Sequence, residues 1–144
     1  MTEGIYTIEI KAVKIRDALS SELKNSKDII SILLEDFNTK DREYFIRYDL
    51  NGKNKVTSKE IISIGTLDTS IISPREIFKG AILQNAGSII LAHNHPSGST
   101  IPSNEDLRTI GQIIKAGKIL GIEVIDVFIV TDKEAVSFID KFEE

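Results

Sequence analysis

The sequence predicts a mixed α/β domain, in which a β-sheet packs between or beside a few helices. Two observations lead to this prediction. Segments with the two-residue period of strands alternate along the chain with segments whose apolar residues recur at helical spacing. The run Ile89–Ala92 is also apolar at every position, as in a central strand that is buried on both faces.

Length and composition agree with a single compact domain. The chain has 144 residues, of which 41% are hydrophobic and 28% charged, which are ordinary values for a globular protein that can bury a core. The absence of cysteine excludes disulfides, thiolate metal ligands and a cysteine nucleophile. The N-terminus carries no signal pattern and the apolar runs are far shorter than a membrane helix, so we expect a cytoplasmic protein with no membrane partner.

The first half of the chain predicts a strand, a helix and a hairpin. Alternation from Ile5 to Ile15 predicts a half-buried strand. Apolar residues at helical spacing over 26–37 predict a helix with Ser26 as its N-cap. Residues 42–66 predict two strands joined by a turn that carries the hairpin signal Asn51-Gly52.

The second half predicts two helices that alternate with two buried strands. Pro74 opens the first helix, since proline is favoured in a first turn. The expected buried face of this helix consists of Ile77, Ala81 and Ile82. A buried strand over 88–92 precedes a long amphipathic helix, which Gly121 is expected to end. Residues 122–130 predict the second buried strand.

Both histidines of the chain lie where the strand over 88–92 ends. Residues i and i+2 of a strand point to the same side, so His93 and His95 can direct two imidazoles at one point. Asp106, in the first turn of the next helix, supplies a third ligand if the intervening loop folds that helix terminus back. Such a set leaves one tetrahedral position open, as in catalytic zinc sites. It also suits iron or manganese.

Simpler interpretations exist for the same residues. A His-x-His pair occurs by chance, and Ser103 with Asp106 forms a box that by itself marks a helix start. Both functions are compatible, because the cap fixes the helix terminus that carries the ligand. The count of two histidines excludes cupin-type and amidohydrolase-type sites, and the lack of cysteine excludes a deaminase-type site.

A hydrolytic metal site also needs a general base, usually a nearby carboxylate. The candidates are Glu43, Glu60, Glu76, Glu105 and Asp126. Composition and spacing do not choose among them.

These residues match a known pattern. His93-x-His95, seven residues, Ser103, two residues and Asp106 resembles the JAMM signature of the JAB/MPN metalloprotease superfamily. The segments "REYFIRYDLNGKN" and "GTLDTSIISPREIFKGAILQNAGSIILAHNHPSGSTIPSNEDLRTI" resemble the RadC family. The resemblance implies a JAB/MPN-like fold, similar to that of cytidine deaminases, with a mixed sheet flanked by helices and a zinc site at a strand end.

The resemblance also implies a role for each matching residue. His93, His95 and Asp106 correspond to the ligands of one Zn²⁺ per chain. Glu43 corresponds to the general acid/base, which acts through zinc-bound water, and Ser103 to the serine that hydrogen-bonds the reacting oxygen. Three further positions match the family, namely Thr66, Ser73 and Arg75. We interpret the first two as turn residues, and the arginine as a group that holds a carboxylate, a substrate backbone or a structural salt bridge.

Two departures from the family pattern bear on function. Longer RadC-type proteins carry an N-terminal module that resembles helix-hairpin-helix DNA-binding units, whereas the 42 residues before Glu43 predict a strand and a helix. We therefore expect an extension over 1–25 and one RadC-like domain over 26–144, without that module. The family also often has Asp-His in its final core strand, where this chain has Asp126-Val127.

The favoured function is zinc-dependent hydrolysis of a peptide or isopeptide bond, with a peptide or protein as substrate. One alternative is a DNA-repair-associated nucleic-acid-binding protein, although a net charge of −4 does not support broad phosphate binding. The other is a non-catalytic binding module on the same fold. The sequence assigns no substrate-binding residues. Edge strands near the N-terminus allow a homodimer without requiring one.

Overall fold

The structure is a computed structural model that describes residues 4–7, 9, 23, 26–38, 42–64, 72–95 and 98–139. Its centre is a five-stranded sheet in the order β2-β1-β3-β4-β5. The strands are β1 (Tyr44–Leu50), β2 (Val56–Ile64), β3 (Ser88–Asn94), β4 (Glu123–Val130) and β5 (Ala135–Ser137). The helices are α1 (Ile30–Phe37), α2 (Pro74–Leu83) and α3 (Asn104–Leu120). This mixed sheet with flanking helices confirms the predicted fold class.

Strands β1 and β2 form the predicted hairpin, and residues 51–55 connect them. The side-chain oxygen of Asn51 accepts hydrogen bonds from the backbone N–H groups of Lys53 and Lys55, which satisfies the turn. The left-handed residue is Asn54, with φ of 56°, rather than Gly52. Asparagine tolerates this conformation because its short polar side chain bonds locally.

Strand β3 is buried along its whole length at the centre of the sheet. It pairs antiparallel with β1 and parallel with β4. Helix α3 connects β3 to β4, since a parallel connection needs a crossover. Gly121 ends α3 in the left-handed conformation, as predicted. This topology sets the carboxyl end of β3 close to the start of α3.

The two faces of the sheet bury separate cores. On one face, Phe45, Leu91 and Ile129 pack with residues of α2 and α3. On the other, Ile46, Ala92 and Phe128 pack with residues of α1. Neighbouring residues of one strand belong to opposite faces, because strand side chains alternate. The face that carries Phe45 is also the face of His93, since these residues are direct partners across β1 and β3.

Two N-terminal predictions change. The described residues 5–7 and 9 lie in no strand, and Ile5 and Tyr6 are exposed, so the predicted half-buried strand is wrong there. Alternation alone does not make a strand without a partner to pair with. The rest of Ile5–Ile15 lies outside the described residues. The predicted helix begins as a 3-10 turn, Ser26–Ile29, and the N-cap of α1 is Ile29, which makes no side-chain cap bond.

The buried face of α2 also differs from the prediction. Ile77 and Ala81 are buried as expected, but the third member is Phe78, whereas Ile82 is 51% exposed. The apolar stripe is rotated because the bulkier aromatic ring takes the core position. In the described part of the chain, no helix has the length and apolar composition needed to cross a membrane.

Candidate metal centre

Three side chains of the predicted site meet at the end of β3. The Nε2 atoms of His93 and His95 lie 3.0 Å apart. Asp106 Oδ2 lies 3.5 Å from the first and 3.3 Å from the second. Within the described residues, these three form a group that could hold a metal ion. All three atoms are electron-pair donors.

The size of this triangle fits a small divalent cation. Ligand atoms about 2.0–2.1 Å from a tetrahedral zinc lie about 3.3–3.4 Å from one another. The observed edges of 3.0, 3.3 and 3.5 Å bracket this value. These three atoms would fill three corners of a tetrahedron, and such a site leaves the fourth corner to water or substrate. The donor set therefore fits the implied zinc, although that these residues bind it stays a prediction.

The tautomer of His95 is set by the loop that follows β3. Its Nδ1 lies 2.9 Å from the backbone oxygen of Ser99. A carbonyl oxygen only accepts hydrogen bonds, so Nδ1 carries the proton and Nε2 keeps its lone pair. Metal-ligating histidines are commonly oriented by such a bond to a backbone carbonyl. The loop thus directs the electron pair of His95 toward His93 and Asp106.

The ring of His93 is held by packing. It is 2% exposed, stacks on Phe45 with a ring-centroid distance of 6.0 Å, and meets the edge of Phe138 at 6.1 Å. Its Nδ1 is buried and has no hydrogen-bond partner among the described residues. Among the described residues, the polar contacts of this ring are therefore made by Nε2, the atom that belongs to the triangle.

Asp106 reaches the site because of how α3 begins. Ser103 is the N-cap, and its Oγ accepts from the backbone N–H of Asp106 at 3.0 Å. In return Asp106 Oδ2 accepts from the backbone N–H of Ser103 at 2.9 Å. This is the reciprocal box that the sequence predicts. It clamps the carboxylate that faces the two imidazoles.

The environment of Asp106 favours its ionised form. Burial alone would raise the pKa of this carboxyl. Hydrogen bonding and charge from His93, together with the two bonds to Ser103, outweigh burial and lower the pKa to about 2. The carboxylate is therefore charged throughout the physiological range, as a metal ligand must be.

Glu43 directly precedes β1, the strand that pairs with the histidine-bearing strand β3. Phe45 pairs with His93, so continuing the antiparallel register places Glu43 opposite His95. Glu43 also lies two residues before Phe45, and strand alternation assigns both to the face that carries His93. The side chain is half-buried. Its role as the general base stays a prediction.

The other candidate carboxylates are placed elsewhere or are occupied. Glu60 on β2 forms an ion pair of 2.6 Å with buried Arg47. Asp126 accepts hydrogen bonds from the backbone of Val127 and the hydroxyl of Ser137. Glu76 and Glu105 are exposed in the first turns of α2 and α3. The bonds of Glu60 and Asp126 give these two carboxylates structural roles. Glu43 is the candidate that precedes the strand paired with β3.

Of the three remaining family positions, two can be described and one lies outside the described residues. Ser73 is the N-cap of α2 and accepts from the N–H of Glu76 at 3.4 Å. Arg75 is exposed and forms no ion pair with any described residue. Thr66 lies outside the described residues.

The sequence did not indicate the roles of Phe45, Phe138 or the Ser99 carbonyl, since packing and backbone contacts leave no motif.

Comparison with known proteins shows the family of the chain. A family model of the RadC-like JAB domain matches residues 23–143. The chain is 46% identical to a UPF0758 protein of Desulforamulus reducens over 115 residues, which cover 80% of this chain and 51% of the relative. It is 43% identical to a UPF0758 protein of Caldanaerobacter subterraneus subsp. tengcongensis, with 91% of this chain and 62% of the relative covered.

A third relative is similar over a comparable share of the chain. A UPF0758 protein of Methanosarcina mazei is 37% identical over 120 residues, which cover 83% of this chain and 52% of the relative. The chain thus spans about half to three-fifths of the length of these relatives. With the matched residues covering most of the chain, the protein belongs to the family of RadC-like JAB domains.

Proposed function

We propose that the chain is a zinc-dependent hydrolase of peptide or isopeptide bonds. One observation carries this proposal, namely the triangle of His93, His95 and Asp106 at the end of β3, the strand that pairs with β1 just after Glu43. The family supplies the general setting, because JAB domains often bind zinc. The chain's own residues supply the parts that hydrolysis needs, a metal-ligand set, a base and a hydrogen-bond donor.

The two histidines and Asp106 would hold the ion. When bound, zinc supplies Lewis-acid polarisation of a carbonyl and lowers the pKa of a water molecule to about 7. The chain keeps the imidazoles and the carboxylate in place through the Ser99 carbonyl, the aromatic contacts of His93 and the box at Ser103. A preorganised set of this kind loses little energy to reorganisation during the reaction.

Glu43 serves as the general base in this proposal. Its carboxylate takes a proton from the attacking water and returns it to the nitrogen of the leaving amine. Its support is its position at the start of β1, opposite His95 and on the His93 face. A strand end on a buried sheet is a rigid mount for such a group.

Ser103 stabilises the oxygen of the scissile carbonyl. Its Oγ already accepts from the N–H of Asp106, but its O–H has no acceptor among the described residues. The residue is exposed, so a substrate can approach it. A donor directed at the developing oxyanion typically contributes a factor of about 10²–10³ in rate.

A peptide or isopeptide is favoured over a nucleic acid as substrate. The net charge of −4 gives the chain no general attraction to phosphate. Base, oxyanion donor and open metal position together form the set that attack on an amide carbonyl needs.

The test compares Glu43→Gln with Glu76→Gln, a matched control on the exposed first turn of α2. Both variants and the native chain are loaded with zinc and screened against fluorogenic peptide and isopeptide substrates. We expect Glu43→Gln to keep its zinc and lose about 10²–10⁴-fold in kcat/KM, while Glu76→Gln stays within about twofold of native.

Two results would contradict the proposal. One is equal turnover by Glu43→Gln and the native chain, which would remove Glu43 from the reaction. The other is a zinc-loaded native chain that hydrolyses no substrate in either class.

A further inference from the structure

Asn94 lies between the two histidines, and its side chain bonds the neighbouring strand on both sides of Glu43. Asn94 Oδ1 accepts from the backbone N–H of Tyr44 at 2.6 Å. Asn94 Nδ2 donates to the backbone oxygen of Arg42 at 2.7 Å. The two partners flank Glu43 directly. One carboxamide therefore fixes the backbone on either side of the proposed base.

This bridge continues the sheet past the end of its backbone ladder. The pairing of β1 with β3 runs from Leu50–Ser88 to Phe45–His93. Beyond that pair, the Asn94 side chain takes over the donor and acceptor roles of a strand backbone. The N–H of one residue and the carbonyl two residues earlier point to the same edge of an extended strand. The bridge thus ties residues 42 and 44 to the end of β3.

Asn94 itself is firmly anchored. It is 5% exposed and pairs through its backbone with Val130 of β4. Alternation along β3 takes its side chain away from the face of the two imidazoles. The Asn94 side chain therefore lies on the opposite face of the sheet from the triangle, although Asn94 stands between His93 and His95 in the sequence. A single residue joins β4, the ligand strand β3 and the segment that carries Glu43.

Asparagine is the residue that this bridge requires. One partner is a donor and the other an acceptor, so a carboxamide in one orientation satisfies both. An aspartate of the same shape has no proton to donate to the Arg42 carbonyl. A hydroxyl of serine is too short to span both groups, and alanine offers neither bond.

We propose that Asn94 is a positioning residue that holds Glu43 in register with the metal ligands. The inference rests on the proposed function of Glu43 and deepens it. It assigns the middle letter of the His-Asn-His tripeptide to the alignment of the base, rather than to metal binding or to the fold in general.

The test uses two variants, Asn94→Asp, which loses only the bond to the Arg42 carbonyl, and Asn94→Ala, which loses both bonds. Asn51→Ala is the matched control, because Asn51 also bonds two backbone N–H groups, at the far end of β1. Three quantities are measured in the full chain: zinc affinity by chelator competition, hydrogen exchange of the Tyr44 amide, and the response of the ¹³C-labelled Glu43 carboxyl resonance to zinc. Glu43→Gln assigns that resonance.

We expect the Asn94 variants to bind zinc within about threefold of native, since no ligand is removed. In Asn94→Ala, which loses the acceptor of the Tyr44 N–H, the Tyr44 amide should exchange about tenfold faster, the factor that the loss of one net hydrogen bond implies. Asn94→Asp keeps that acceptor and loses only the bond to the Arg42 carbonyl. The Glu43 resonance should respond to zinc in the native chain and in Asn51→Ala, but not in the Asn94 variants. A merely structural role for Asn94 would leave that response intact.

The outcomes separate this inference from the function on which it rests. If the Glu43 resonance responds to zinc equally in native and Asn94 variants, the positioning role is overturned while the proposed base survives. If it does not respond in the native chain, Glu43 is not beside the metal, and both proposals are overturned. Loss of zinc binding in Asn94→Ala with an unchanged Tyr44 amide would also overturn the inference.

Discussion

Asp106 belongs to both the box at the start of α3 and the triangle of the proposed metal site, and two substitutions separate these roles. Its backbone and carboxylate complete the box at the start of α3, and Oδ2 also belongs to the ligand triangle. Ser103→Ala removes the Oγ that accepts from the N–H of Asp106. Asp106→Asn keeps a side-chain oxygen to accept the Ser103 N–H but loses the charge that a metal ligand needs.

The expected magnitudes follow from general values. Zinc at about 100 times its dissociation constant stabilises the native chain by about 2.7 kcal/mol, which corresponds to a rise in Tm of roughly 5–10 °C for a chain of this size. Ser103→Ala should lower the Tm of the metal-free protein through a loss of about 1 kcal/mol, yet retain the zinc-induced rise. Asp106→Asn should lose most of that rise.

Thermal melts with and without zinc, at one protein concentration, provide the assay. Each variant is compared with itself, so differences in metal-free stability do not enter the result. A full zinc-induced rise in Asp106→Asn would refute the assignment of Asp106 as a ligand. Loss of the rise in Ser103→Ala would show that the cap and the ligand act as one unit.

Three further predictions concern stability. The folded-state pKa of Asp106 is lowered to about 2, so its ionised carboxylate stabilises the metal-free protein fully above about pH 4 and loses this contribution as the pH falls through the folded-state pKa. The difference in unfolding free energy between the native chain and Asp106→Asn, measured by urea titration, should therefore narrow from pH 6 to pH 3. A constant difference would contradict the lowered pKa. Asp49→Ala removes two bonds of 2.6 and 3.0 Å from the guanidinium of Arg47, which is 1% exposed, so the urea midpoint should show a loss of about 3–5 kcal/mol; a loss under about 1 kcal/mol would show that the pair is not buried in solution. Gly117→Ala would set a Cβ 2.4 Å from the backbone oxygen of Ile122, so we expect a cost of about 1–3 kcal/mol by the same assay, and an unchanged midpoint would contradict the close approach.

The sequence predicted the elements whose residues carry a local pattern. Two histidines at strand spacing had to share a face, and the box at Ser103 had to start a helix. Gly121 had to permit a left-handed C-cap. For the loop between the site strand and the next helix, the sequence indicated only that the start of this helix could fold back over the strand end.

What the sequence did not predict depends on contacts between distant residues. Ile82 and Phe78 both fit a helical stripe, and the core decides which of them is buried. Ile5–Ile15 alternates, but its described part lies in no strand. The bridge from Asn94 to Arg42 and Tyr44 joins residues about 50 positions apart, so only the pairing of β1 with β3 shows it.

The proposed function requires that the chain binds a metal ion at the end of β3. Metal content by elemental mass spectrometry tests it most directly, with the native chain and His95→Ala purified side by side and supplied with zinc. We expect about one zinc per native chain and almost none in His95→Ala, because this variant lacks one of the three proposed ligands. A native chain without metal, or equal metal in both proteins, would contradict it.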